Sequence, residues 1–115
     1  PYTTLFRSRA DDAVSHLYDP WHPAVVGLIA GVIQRANAVG KGVSVCGEMA
    51  GDPAFTELLL AMGLRSFSMH PAQISSIKQR ILRADTRRLA PALERVLAAE
   101  NPQLEATRAF TSTLP

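Results

Sequence analysis

The chain has 115 residues, 47% of them hydrophobic, and its 12 basic and 10 acidic side chains give a formal net charge of +2. That is enough apolar material for the core of one domain and excludes a disordered tail. The basic residues are scattered rather than gathered in a stripe, which argues against a nucleic-acid partner, and no run approaches the roughly 18 apolar residues needed to cross a bilayer.

The opening octapeptide Pro1–Ser8 (PYTTLFRS) carries two aromatics, two threonines and no period. One codon choice for it reads as the end of a widely used sequencing adapter, so residues 1–8 are set apart as a translated scar. A native N-terminal strand is the alternative. Arg9–Pro23 (RADDAVSHLYDPWHP) is punctuated by prolines and reads as a loop leading into a helix. No signal peptide is visible, and a cytoplasmic protein is expected.

From Pro23, the residues Val25, Leu28, Ile29, Val32, Ile33 and Ala36 recur at three and four positions and predict an amphipathic helix, opened by Pro23 and stopped by Gly40. Val43–Cys46 then reads as a short β-branched strand followed by a glycine-rich turn. Ala54–Met62 (AFTELLLAM) is apolar nearly all round and predicts a buried helix closed by Gly63. Ser66–Met69 reads as a second strand, and Pro71 opens a helix with Ile74, Ile77 and Ile81 on one face. Strand, helix and strand in so short a span predict a parallel βαβ unit with a right-handed crossover. Asp85 is placed to cap a helix over Thr86–Ala99, broken by Asn101-Pro102, with one short helix after it. Lys78, Arg80, Arg83, Arg87 and Arg88 are interleaved with Asp85 and Glu94 and read as a solvated surface. Two parallel strands cannot cover their own edges, so the expected fold is α/β and part of a larger domain.

Cys46 is the single cysteine, which fits a reducing compartment. It closes its strand at the end where α/β proteins bind ligands. Gly47 and Gly51 permit close ligand approach there, and the helix beginning at Asp52-Pro53 could favour an anion. Packing, nucleophile and proton donor remain open as roles for the thiol. His16, His22 and His70 lack a signature that would place one beside it as a base, and they lack close metal-ligand spacing.

VCGEMAGDP, followed by LLLAMGLRSFSMHPAQISSIKQRIL, closely resembles the end of the PEP-binding barrel of the phosphoenolpyruvate-protein phosphotransferases, enzyme I of the bacterial phosphotransferase system. RADDAVSHLYDPWHPAV resembles the segment before the penultimate helix of that barrel. The resemblance runs from Arg9 to about Leu97. It implies the last two strands of a TIM (β/α)8 barrel and their helices over 9–84, with a C-terminal helical extension over 85–115. It also implies transfer of the phosphoryl group of PEP to an enzyme histidine and then to the carrier HPr, with release of pyruvate.

By the same resemblance Cys46 is the proton donor to the enolate carbon, a role within reach of an ordinary thiol with a pKa near 8.5. Arg9 grips the PEP phosphate, a task suited to a planar guanidinium. The residue before it is usually acidic in the family and is Ser8 here. The resemblance implies Mg²⁺ in the parent enzyme, held by carboxylates upstream of Arg9, so no metal ligand is assigned to this chain. A homodimer is implied for the parent, and the fragment alone is expected to be inactive. Other PEP-using enzymes, a PEP synthase or a pyruvate phosphate dikinase, are the alternative, and a non-enzymatic α/β interaction module is a further one.

Overall fold

The computed structural model describes residues 17–111. Pro1–Ser8, Arg9 and His16 lie outside the described residues.

Among the described residues six helices follow one another: α1 (Pro23–Ala38), α2 (Gly47–Gly51), α3 (Pro53–Ala61), α4 (Pro71–Arg83), α5 (Thr86–Ala98) and α6 (Pro102–Thr111). Proline occupies the first turn of α1, α3 and α4, where its missing N–H costs nothing. The residue before each of these prolines caps the helix. His22, Asp52 and His70 accept from the backbone N–H of Ala24, Ala54 and Ala72, and Asp85 and Asn101 do the same for Arg87 and Leu104. Pro91 sits inside α5 and leaves the carbonyl of Arg87 without its helical donor.

The expectation of a TIM-barrel portion with two strands is corrected. Among the described residues there is no strand, sheet or barrel. Val43–Cys46 and Ser66–Met69 are extended and lie parallel, but they meet only in one isolated bridge, Val45 to Phe67. The Val45 N–H donates to Ser66 O at 3.3 Å, and the Ser68 N–H donates to Val45 O at 2.9 Å. A ladder lengthens when further strands flank it, and a two-segment pair is marginal without them. Here the helices cover one face of the pair, and no third extended segment flanks either edge among the described residues.

Helix α3 is the centre of the core. Phe55, Leu58, Leu59 and Leu60 are all buried, as are Thr56 and Glu57. It packs against α4, α5 and α6, while α1 leans on α5. One hydrophobic cluster joins Val26, Ala30 and Ile33 of α1 to α3, to Leu89, Leu93 and Val96 of α5 and to Ala106 and Phe110 of α6, running continuously across residue 85. The buried stripe of α1 differs from the expected one. Val26, Ala30 and Ile33 face the core, whereas Leu28 and Val32 are 70% and 57% exposed. Nearly every turn of α1 carries apolar residues on both sides, so periodicity alone could not choose the inner face.

Two left-handed glycines end helical runs. Gly40 (φ +68°) lies two residues past α1, and Gly63 (φ +99°) follows the C-cap of α3. Asn37 donates from Nδ2 to Gly63 O at 3.0 Å, tying the end of α1 to the end of α3.

Candidate active site

Strand-like alternation places the site. In both extended segments the residues at Val43, Val45, Phe67 and Met69 are half-buried, with Val43, Val45 and Phe67 packed against the core, while Ser44, Cys46, Ser66 and Ser68 are exposed. A period of two therefore collects three hydroxyls and the thiol on the face turned away from the helices. The alternation is visible in VSVC and SFSM, yet sequence reasoning passed over the serines.

The parallel bridge brings Cys46 and Ser68 out at the same end of the pair. From there the chain enters α2 directly after Cys46, α3 at Pro53 and α4 at Pro71. Trp21 stacks on Phe55 with ring centroids 4.0 Å apart and planes 17° from parallel. That contact brings the start of α1 to the start of α3, so the N-termini of four helices, α1 to α4, share one end of the molecule with the thiol.

A cleft of about 470 Å³ opens at this end, with Tyr18, Asp19 and Pro20 on one side and Ser44, Cys46 and Glu48 among the residues of the other. Cys46 is exposed, so it is not a packed core thiol. It stands in the N-cap position of α2 with extended geometry (φ −123°, ψ 175°), and its side chain makes no capping hydrogen bond. Gly47 follows with φ +76°, a conformation that a side chain would strain. The stretch read as a glycine-rich turn is therefore a single short helix, fixed on its buried side by Ala50 and Gly51.

The anion-binding expectation for the helix starting at Pro53 changes in detail. The Asp52 carboxylate already accepts from the Ala54 N–H at 2.9 Å, so a carboxylate of the chain itself occupies that terminus. Behind the cleft, α3 and α4 are joined by a charged contact. Arg80 donates from Nε to Glu57 Oε1 at 2.9 Å, and its Nη2 lies 2.8 Å from the same oxygen. His22 and His70, which the sequence left without a role, are helix caps, as the proline after each could have indicated. Arg9 lies outside the described residues, so its distance from Cys46 is not part of this geometry. Among the described residues no group of three or more His, Cys, Asp or Glu side chains could hold a metal ion. The resemblance places the Mg²⁺-binding carboxylates upstream of Arg9, outside these residues. No helix among the described residues is long and apolar enough to cross a membrane.

Residues 2–86 match the sequence profile of the PEP-utilising enzymes, described as their PEP-binding domain. The chain belongs to this family. Within it, the chain is similar to proteins named phosphoenolpyruvate-protein phosphotransferase. It is 57% identical to that of Cupriavidus necator over 90% of its own length, 46% identical to that of Haemophilus influenzae over 88%, and 42% identical to that of Enterococcus faecalis over 82%. The chain spans only 16–18% of the length of these relatives.

Proposed function

We propose that this chain is the C-terminal part of a phosphoenolpyruvate-protein phosphotransferase and contributes the proton donor of its PEP site. The observation that carries the proposal is Cys46, exposed at the rim of the cleft and free of any capping bond, within the loop that the family resemblance identifies. In the proposed reaction the phosphorus–oxygen bond of PEP breaks as its phosphoryl group passes to a histidine elsewhere in the parent polypeptide, leaving the enolate of pyruvate. The Cys46 S–H then gives its proton to C3 of the enolate, forming the methyl group of pyruvate, and the thiolate recovers a proton from solvent. Arg9 binds the phosphate, and HPr accepts the phosphoryl group from the histidine.

A cytoplasmic homodimer is the proposed parent, with residues 85–115 its C-terminal extension. Supporting a longer polypeptide are the small share of each relative that the chain spans and the exposed Leu28 and Val32 on the outer side of α1. The 115 residues alone are expected to be inactive, because the reaction needs a phosphorylated histidine and none of His16, His22 and His70 sits in the Gly-rich, Thr-Ser-His context that the family resemblance implies for it. The test is incubation of the complete polypeptide with PEP labelled in the phosphoryl group. An acid-labile phosphohistidine that passes its label to HPr is expected. A protein that takes no label, or that needs a nucleotide to do so, would overturn the proposal in favour of another PEP-using enzyme or a binding module.

A further inference from the structure

Across the extended pair, the neighbour of Cys46 is Ser68. Val45 is bridged to Phe67, its N–H donating to Ser66 O at 3.3 Å and its carbonyl accepting from the Ser68 N–H at 2.9 Å. Parallel register then sets Ser44 beside Ser66 and Cys46 beside Ser68. The backbone of Cys46 is itself extended, at φ −123° and ψ 175°, so the register carries through to it. Val45 and Phe67 pack against the core while Cys46 and Ser68 are exposed, which puts thiol and hydroxyl on one face. Adjacent extended segments lie about 4.8 Å apart. Side chains with a single heavy atom beyond Cβ close that gap to hydrogen-bond distance by χ1 rotation alone.

Helix capping, the usual task of a serine just before a helix, does not account for Ser68. It stands two residues before the cap of α4, and the ring of His70 supplies that cap. Cys46, at the cap position of α2, makes no capping bond either. Ser44 and Cys46 line the cleft, whereas Ser68 is not part of its wall. The Ser68 hydroxyl is therefore set beside the thiol and not toward a ligand.

We infer that Ser68 is a positioning residue for Cys46, an inference that rests on the proposed role of Cys46 as proton donor. The serine O–H donates to the sulfur, a weak acceptor while the thiol is neutral, and so leaves the S–H proton directed into the cleft. As the S–H bond breaks and the C3–H bond of pyruvate forms, the electron pair stays on sulfur. The same hydrogen bond is then charge-assisted and stabilises the thiolate until solvent returns a proton. Because the bond is stronger after transfer than before it, it lowers the barrier to protonation instead of only tightening the resting state.

The test compares S68V with S68T in the complete polypeptide, because valine and threonine share a shape and differ by the hydroxyl. In a single turnover with PEP, pyruvate formation is expected to be roughly 10- to 100-fold slower in S68V than in S68T. Phosphorylation of the enzyme histidine and the melting temperature should be the same in both, which a merely structural role would not give. S68A, the smaller change, should match S68V and decides the question where either branched variant fails to fold. Equal rates of pyruvate formation in S68V and S68T, or S68A as fast as the unsubstituted protein, would overturn the inference. C46A in the same assay separates the causes. If C46A is slow and the serine variants are not, the role of Ser68 alone falls, whereas undiminished C46A removes the proton-donor reading beneath it.

Discussion

Removing the guanidinium of Arg80 strands a carboxylate in the core. The Glu57 side chain is 3% exposed, and its Oε1 lies 2.8 Å from Arg80 Nη2 and 2.9 Å from Nε. At that separation an effective dielectric of about 20 gives roughly 6 kcal/mol of attraction. Desolvating the carboxylate offsets several kcal/mol of it. The substitution R80A forfeits the attraction while leaving the desolvation in place. Because the Arg80 side chain is itself 34% exposed, water enters the vacated space and solvates part of the charge. The expected loss is therefore about 2–3 kcal/mol, at or below the low end for breaking a buried pair. Replacing both partners with apolar residues, E57M/R80M, should recover at least half of that loss, since no unpaired charge then remains. Urea unfolding followed by far-ultraviolet circular dichroism measures all three chains. A loss under about 0.5 kcal/mol for R80A, or a double variant no better than R80A, would show that the contact is a solvated surface pair.

The substitution G63A should cost about 1–2 kcal/mol, because φ +99° disfavours any L side chain and the new Cβ would crowd Asn37 Nδ2 at 2.8 Å; an unchanged urea midpoint would contradict this. Thr56 buries a hydroxyl whose Oγ1 has no hydrogen-bond partner, so T56V should leave stability unchanged or raise it by up to about 1 kcal/mol, and a clear loss would mean that the hydroxyl is satisfied. At Asp85, hydrogen bonds from the Arg87 side chain and backbone, with the charges of Arg87 and Arg88, hold the carboxyl below its ordinary value of 3.8. A depressed carboxyl stabilises the fold above its unfolded value and loses that contribution as the pH falls through the folded one. The substitution D85N keeps a capping oxygen but not the charge, and should therefore flatten the acid-unfolding curve below about pH 4. Identical acid limbs would contradict it, and the effect is small because the side chain is 37% exposed.

Much of the helical layout was legible because its punctuation is chemical. Pro23 and Pro71 opened helices where expected, Gly63 and Asn101-Pro102 ended them, and Asp85 capped α5. The all-apolar run of α3 read correctly as a buried helix because no solvent-facing side needed polar residues. The two strands did not form as such. A β-branched tetrapeptide specifies an extended backbone, but a strand also needs neighbours that hydrogen-bond it on both sides, and a single bridge is all that two short segments supply. Of the candidate site, Cys46 and its loop were singled out in the sequence, and the structure leaves the thiol exposed. The shared outward face of Ser44, Ser66 and Ser68 was missed because the strands were read from β-branching and not from alternation. The Arg80–Glu57 pair joins residues 23 apart, and no local pattern signals it.

The most direct test of the role given to Cys46 is pyruvate formation from PEP in deuterated buffer by the complete polypeptide carrying C46A. The account predicts turnover at least about 100-fold slower, the scale of a lost general acid. Phosphorylation of the enzyme histidine in a single turnover should persist, and the melting temperature should be unchanged, as expected for an exposed thiol. Undiminished formation of deuterated pyruvate would show that another group protonates the enolate and would contradict the account at its centre.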